Sequence, residues 1–326
     1  MKQFLVLVCL LCVSVSCAKV SDDQYQQSTK QKEKITIGFV TFPGYGPFYV
    51  AKEKAMYDDT DVNLVRIESI GDLRAALKSG TIDMFSVPYD TYLNATNDDA
   101  YGIAIAAIDE SYGADGIIVS ESIASLDSLK TKEIAIEPGF PAYFMLKYEL
   151  FKKGMTINDI KVRELPTQDA CNAFVAKKFD AVGVYEPCMS ASVTARKGAR
   201  VLFSSKDTDL PIQDILFASP KAIQEKKDAV KDVVNGWFQA VDFTNTQNEE
   251  ALSIMAKEFG ITVEDMKAFK ETIIWVGKDK NKAVFRSDNS KGIEANIRKV
   301  QQVLQSNGEP VITKNSSELI DSQFVN

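Results

Sequence analysis

The chain has 326 residues, enough for about two ordinary domains, with the 45% hydrophobic and 25% charged content of a soluble globular protein. A net charge of −7 and the lack of any Lys/Arg-rich run exclude a phosphate-backbone surface, so nucleic acid is not an expected partner. There is no histidine, which removes Ser-His and Cys-His nucleophile pairs and the commonest zinc ligand together.

Met1-Lys2 is a short basic start, and Phe4 to Val13 is an apolar run too short for an ordinary membrane span. With the small residues that follow, 1–16 reads as a secretory signal. Ser16-Cys17 resembles the end of a bacterial lipobox, with Ser14 where that motif usually has Leu; Cys17 is then the lipidated N-terminus. Residues 17–33 are polar and read as a flexible tether to a membrane. Cys9 and Cys12 leave with the signal, so Cys171 and Cys188 remain. Both fall in segments that read as packed elements, and two buried free thiols are expected rather than a bridge. No metal-ligand spacing is present, and neither a metal nor another cofactor is expected.

Lys34 to Val40 alternates and then runs apolar, as a buried strand does. The loop "TFPGYGP" follows, then a helical pattern that Pro47 can open at its first turn. "VNLVRI" is a strand. "GDLRAALKSG" is a helix with Asp72 at its start and Gly80 as its stop, and "IDMFSV" is the next strand. This alternation predicts parallel pairing with helical crossovers.

The plan then repeats. "KEIAIEPGFPAYFMLKYELFKKGM" gives strand, Gly/Pro loop and helix, "IKVREL" a strand, "QDACNAFVAKK" a helix and "FDAVGV" a strand. Asp72, Ala76, Asp83 and Val87 recur 97 residues later as Asp169, Ala173, Asp180 and Val184. Asp83 and Asp180 follow a helix stop and are read as fixing a turn, outside any site. Ala114 to Ser120 leads from one half to the other, and Ile212 to Ser219 is the return strand. Beyond it, Val230, Val233, Val234, Trp237, Phe238 and Val241 share one helix face, with Trp237 read as core. "TVED" opens a further helix with a cap signature.

"FPGYGPFYVAKEKAMY", "ALKSGTIDMFSV", "IAIEPGFPAYFML" and "FDAVGVYEP", in that order, resemble the solute-binding proteins of ABC importers. The branch is the one serving nitrate, sulfonate, taurine and thiamine-pyrimidine precursors, and the likeness covers roughly residues 34 to 260. The resemblance implies an α/β type II periplasmic-binding fold: lobe 1 from 34–117 and 214–326, lobe 2 from 118–213, two crossover segments and a ligand cleft between the lobes. It implies an exported, lipid-anchored monomer that closes over a small molecule and delivers it to a permease with its ATPase. Carried over residue by residue, the site takes Phe42, Gly44 and Tyr45 from the first loop, Tyr89 and Asp90 from the "FSVPYD" strand, and Asp109 and Ser111 from "AAIDES". The second lobe adds Gly139, Phe140, Tyr143 and Glu186, and the return strand adds Asp214.

Two cues bear on the ligand. Helix N-termini at the Gly/Pro loops attract anionic groups, yet the matched charged positions are all acids, with no Arg or Lys among them. An amine-bearing ligand, such as an aminosulfonate or an aminopyrimidine, satisfies both; the alternative reading is that the acids hold the lobes together at the hinge. Two other classes compete. One is a sensory receptor on the same fold. The other is a thiamine-pyrimidine-synthase-like enzyme, disfavoured because that chemistry consumes a histidine. No G-x-G-x-x-G follows the first strand, which disfavours a dinucleotide enzyme.

Overall fold

The structure, a computed structural model, describes residues 32–326 except 100 and 287. The expected signal, Cys17 and the tether up to residue 31 lie outside the described residues.

The first part of the chain gives β1 (Glu33–Phe39), β2 (Thr60–Arg66), β3 (Met84–Pro88) and β4 (Ile103–Ser111). The middle gives β5 (Asp115–Val119), β6 (Glu133–Ile136), β7 (Lys161–Glu164), β8 (Ala181–Tyr185) and β9 (Arg200–Ser204). The chain then returns with β10 (Ile212–Ala218) and β11 (Ile273–Trp275). Two sheets result, ordered β11-β4-β10-β3-β1-β2 and β7-β6-β8-β5-β9. Each contains the expected parallel unit, β2-β1-β3 in one and β7-β6-β8 in the other. Each then receives a strand running the opposite way, β10 beside β3 and β5 beside β8. The sequence repeat is therefore a repeat of sheet topology. The strand that enters from the other half makes each sheet mixed rather than purely parallel. β5 lies wholly in the second sheet and β10 wholly in the first, whereas the expected limits at 117/118 and 213/214 cut through both strands.

The helices α1 (Gly46–Glu53), α2 (Ile70–Ser79) and α3 (Tyr89–Leu93) serve the first half, and α4 (Pro141–Phe151), α5 (Thr167–Val175) and α6 (Cys188–Ala195) the second. After β10 come α7 (Pro220–Glu225), α8 (Lys227–Thr246), α9 (Asn248–Phe259) and α10 (Val263–Lys270), then α11 (Lys278–Val284) and α12 (Ile293–Ser306) beyond β11. Local chemistry sets their ends. Ser69 accepts a hydrogen bond from the Asp72 amide at the start of α2, and Gly80 ends it at φ +76°. Thr262 and Asp265 form a reciprocal cap on α10.

The two repeated aspartates do the same work in each half. Asp83 accepts from the Thr36 amide at 2.9 Å and from Lys226 at 2.7 Å. Asp180 accepts from Ser120 Oγ at 2.9 Å and from Arg196 at 3.0 Å. Both pin strand starts, away from the cleft. One expectation is overturned. Cys171 on α5 and Cys188 on α6 are joined as a disulfide, with Cα atoms 6.3 Å apart. Both residues do sit in packed elements, as the sequence implied, but those two helices pack against each other.

The core of the first half extends onto α8. Val230, Val233, Val234, Trp237, Phe238 and Val241 are all buried, and the Trp237 ring lies 4.6 Å from that of Phe48. Past the end of β11, Asn281 of α11 takes the place of a strand at the edge of β4. Its Oδ1 accepts from the Ala107 amide at 2.7 Å and its Nδ2 donates to the Ala107 carbonyl at 2.8 Å. Asn281→Ala strips partners from a buried N–H and leaves its carbonyl short of one. It should cost about 2–4 kcal/mol, read as a lower urea midpoint with unchanged slope.

Candidate ligand-binding cleft

Between the two sheets lies a cavity of about 560 Å³, counted with its open mouth. The first half lines it with Val40, Thr41 and Phe42 from the loop after β1, with Tyr45, and with Ile70, Val87, Pro88 and Thr91. β4 contributes Asp109 and Ser111, and β10 contributes Ile212 and Asp214. The second half contributes Asp115 at the start of β5, Phe140 and Pro141 at the opening of α4, and Tyr185 at the end of β8. Thr91 Oγ1 donates to the Gly139 carbonyl at 2.8 Å and so ties the two halves at the cavity's edge. Phe140 stacks on Tyr185, with ring centroids 6.0 Å apart.

Asp109 and Asp214 are direct partners in the antiparallel β4/β10 ladder. A bulge sits immediately beside them, because Ile215 pairs with Ala107 and leaves Ile108 unmatched. Bulges re-aim the side chains next to them. On the outer side β11 places Trp275 opposite Asp109, and Trp275 Nε1 donates to the Gly44 carbonyl at 2.8 Å. That bond presses the first loop onto the acid. A Cβ on Gly44 would stand 2.6 Å from Asp109 Oδ2 and would also strike Phe42. Glycine is the residue that permits this approach. Tyr45 is buried and donates to the Ser86 carbonyl at 3.2 Å.

The acids are deeply buried: Asp109 is 1% exposed, Asp214 5% and Asp115 5%. Among the described residues, Asp109 Oδ2 and Asp214 Oδ1 find no hydrogen-bond partner, and no Lys or Arg lines the cavity. Burial, with the Asp115 charge added, pushes the Asp109 carboxyl up to about 8. Burial and the neighbouring Asp109 raise Asp214 too, and because the facing acids titrate together it is the pair that holds on to a proton at neutral pH. Burial lifts Asp115 to about 6. Burial and the charges of Asp214 and Asp109 also hold the Tyr45 phenol firmly protonated. Among the described residues, no group of three or more His, Cys, Asp or Glu is arranged to hold a metal ion.

Of the residues expected at the site, Phe42, Tyr45, Asp109, Ser111, Phe140 and Asp214 line this cavity, and Gly44 backs it. The others lie elsewhere. Tyr89 donates to the Pro211 carbonyl at 2.5 Å and faces a separate void with Tyr92 and Phe217. Asp90, Gly139 and Tyr143 border a smaller cavity beside the main one, together with Lys147. Glu186 is occupied: it accepts from the Ser190 amide at 3.1 Å and from the Ser190 hydroxyl, as a cap on α6. The second-half acid in the cavity is Asp115, which the sequence reading passed over as part of a connecting strand. Its signal was an acid at the head of an otherwise apolar strand. Tyr185, which the sequence leaves open between core packing and a pocket wall, lines the cavity, and so does Thr91, which carries no sequence signal.

A sequence profile of the NMT1-like family matches residues 28–258. The chain belongs to that family. A protein of Brucella abortus described as a candidate binding protein is 24% identical over 229 residues, 68% of this chain and 70% of its own length. A candidate aliphatic sulfonates-binding protein of Escherichia coli is 26% identical over 208 residues, 63% of this chain and 64% of its own. The fold matches the crystal structure of the periplasmic aliphatic sulphonate binding protein SsuA from Escherichia coli. There the TM-score is 0.71 at 19% identity, over 88% of this chain and 98% of that one. The periplasmic nitrate-binding protein NrtA from Synechocystis PCC 6803 matches at 0.62 and 16% identity, over 90% and 87%. This family member therefore has the periplasmic-binding fold, α/β with two mixed sheets.

The buried acids make stability depend on pH. Their native pKa values lie above the roughly 3.9 of an unfolded aspartate, so between those limits the folded state binds more protons. Stability from these groups is complete below the unfolded value and is lost as pH rises through about 6 to 8. The ligand-free protein should melt at a lower temperature at about pH 8.5 than at about pH 5.5. Asp109→Asn, which carries no charge at any pH, should flatten that slope in a pH series of thermal melts.

Proposed function

We propose that this protein is the extracytoplasmic solute-binding component of an ABC importer and captures a small amine-bearing organic ligand between its two halves. One observation carries the ligand class. Three carboxylates, from β4, β10 and β5, line a cavity that no Lys or Arg among the described residues lines. A bare nitrate or sulfate entering it would meet uncompensated repulsion. An ammonium or a ring amine supplies the missing positive partner. α4 opens at the cavity with Pro141, and its N-terminus favours the anionic end of a zwitterion. An aminosulfonate- or aminopyrimidine-like molecule suits both ends.

The family membership and the neighbours' descriptions as binding proteins support the transport reading over an enzyme or a sensory receptor. The links from β4 to β5 and from β9 to β10 serve as the hinge, and lobe closure moves the second-half groups onto the ligand. A permease with its ATPase receives the closed form, which acts as a monomer. A thermal-shift screen of aminosulfonates, aminopyrimidines and small amines against nitrate, sulfate and bicarbonate tests the ligand class. The amines should raise the melting temperature and the simple anions should not. Stabilisation by the anions alone would remove the amine reading.

The signal at 1–16 and Cys17 make the protein an exported lipoprotein, held at the membrane by its tether. Labelled palmitate should enter the wild type, while Cys17→Ala should take up none and release soluble protein. Label persisting in that variant would remove the anchor.

A further inference from the structure

The Asp109–Asp214 pair has a property that charge complementarity alone does not give. Residues directly opposite in an antiparallel ladder hold their Cβ atoms about 4.5–5.5 Å apart. Both side chains are more than nine-tenths buried, and each keeps one oxygen without a partner at the cavity. The titratable neighbours offer no compensating charge. Tyr45 faces the pair from the first loop and is protonated, Asp115 faces it across the cleft, and Asp90 lies behind it. Glu110 follows on β4 and is itself paired with Lys280 at 2.9 Å. β11 contributes only the indole of Trp275. Two such carboxylates cannot both be ionised in this setting.

We propose that Asp109 and Asp214 share one proton before ligand enters, and that an incoming ammonium takes that proton's place, so that capture is a one-for-one exchange of proton for cation. The balance is simple. A carboxylic acid hydrogen-bonded to a carboxylate, plus R–NH3+, becomes two carboxylates bridged by R–NH3+, and one H+ passes to solvent through the cavity mouth. No bond to carbon changes and no redox partner is needed. Asp115 completes the ammonium's surroundings from the second sheet. The pair thereby sets specificity. A cation is paid for with a proton, a neutral ligand has no such exchange, and an anion must take up a further proton to enter.

This inference deepens the amine reading and rests on it, and the experiment separates the two. Infrared spectroscopy of the ligand-free protein at about pH 7 should show a protonated-carboxyl carbonyl band that Asp109→Asn/Asp214→Asn lacks. Asp90 supplies any remainder. Ethylammonium is then titrated into the wild type, and calorimetry in two buffers of different ionisation enthalpy counts the protons released. The expected result is bleaching of the band, release of about one proton, and binding that weakens about tenfold per pH unit below the pair's titration. Binding without proton release would overturn the exchange and leave the amine reading standing. No binding of ethylammonium, with the band present, would overturn both. If the double variant does not fold, the wild-type pH dependence and proton count decide the matter alone.

Discussion

The pairing of β4 with β10 is the constraint on which the cleft depends. The chain leaves its first half along β4 and re-enters it along β10, so the two strands that carry the crossings lie side by side. Antiparallel neighbours put opposite residues on the same face, and here the opposite residues are both aspartates. The meeting of two acids is thus a product of connectivity as much as of local sequence. β11 and Asn281 then brace β4 from outside, and Trp275 fixes the first loop against Asp109. A site built this way is held by a sheet rather than by mobile loops, which suits a binding cleft that must present its groups in one geometry.

Several other buried polar groups are fully engaged. Asn281, fully buried, uses both ends of its amide. Glu186 spends both carboxylate oxygens on Ser190. Lys147, almost wholly enclosed, pairs with Glu309 and lies over the Tyr143 ring at 3.9 Å. Among the described residues, buried side-chain atoms of Thr60, Arg74, Asp90 and Gln213 also lack a partner, but of this group only Asp109 and Asp214 line the main cavity, where a partner can arrive from outside.

Much of the architecture was legible because it is written in periodicity and punctuation. The helix stop at Gly80, the cap at Thr262, the Trp237 face and the repeated aspartates depend on residues close in sequence. What was not legible depends on residues distant in sequence. That β10 slots between β3 and β4, or that α5 meets α6 closely enough to join Cys171 to Cys188, follows from tertiary pairing that no local pattern records. The site shows the same division. Glu186 follows the end of buried β8 and Asp115 opens buried β5, and family position favoured Glu186. The difference lies in Ser190, one helical turn onward, whose amide and hydroxyl absorb the Glu186 charge. Asp115 has no comparable neighbour on its own strand and turns to the cavity. Family position likewise favoured Tyr89 and Tyr143, yet the hydrogen bond to Pro211 and the neighbouring Lys147 draw them away.

The placement of β10 has a consequence for the order in which the molecule can assemble. The second sheet is one continuous stretch, and its turn aspartate finds Arg196 only 16 residues away. The first sheet is interrupted. β3 and β4 do not touch each other, and the strand that belongs between them emerges only after residue 212, with the Lys226 that secures Asp83 later still. A nascent chain therefore carries a finished second half beside two apolar strands whose facing edges are open. Such edges are templates for foreign strands. The whole of the second half must be delivered before the first can protect itself, which makes the arrival of β10 the event that ends the chain's exposure to aggregation.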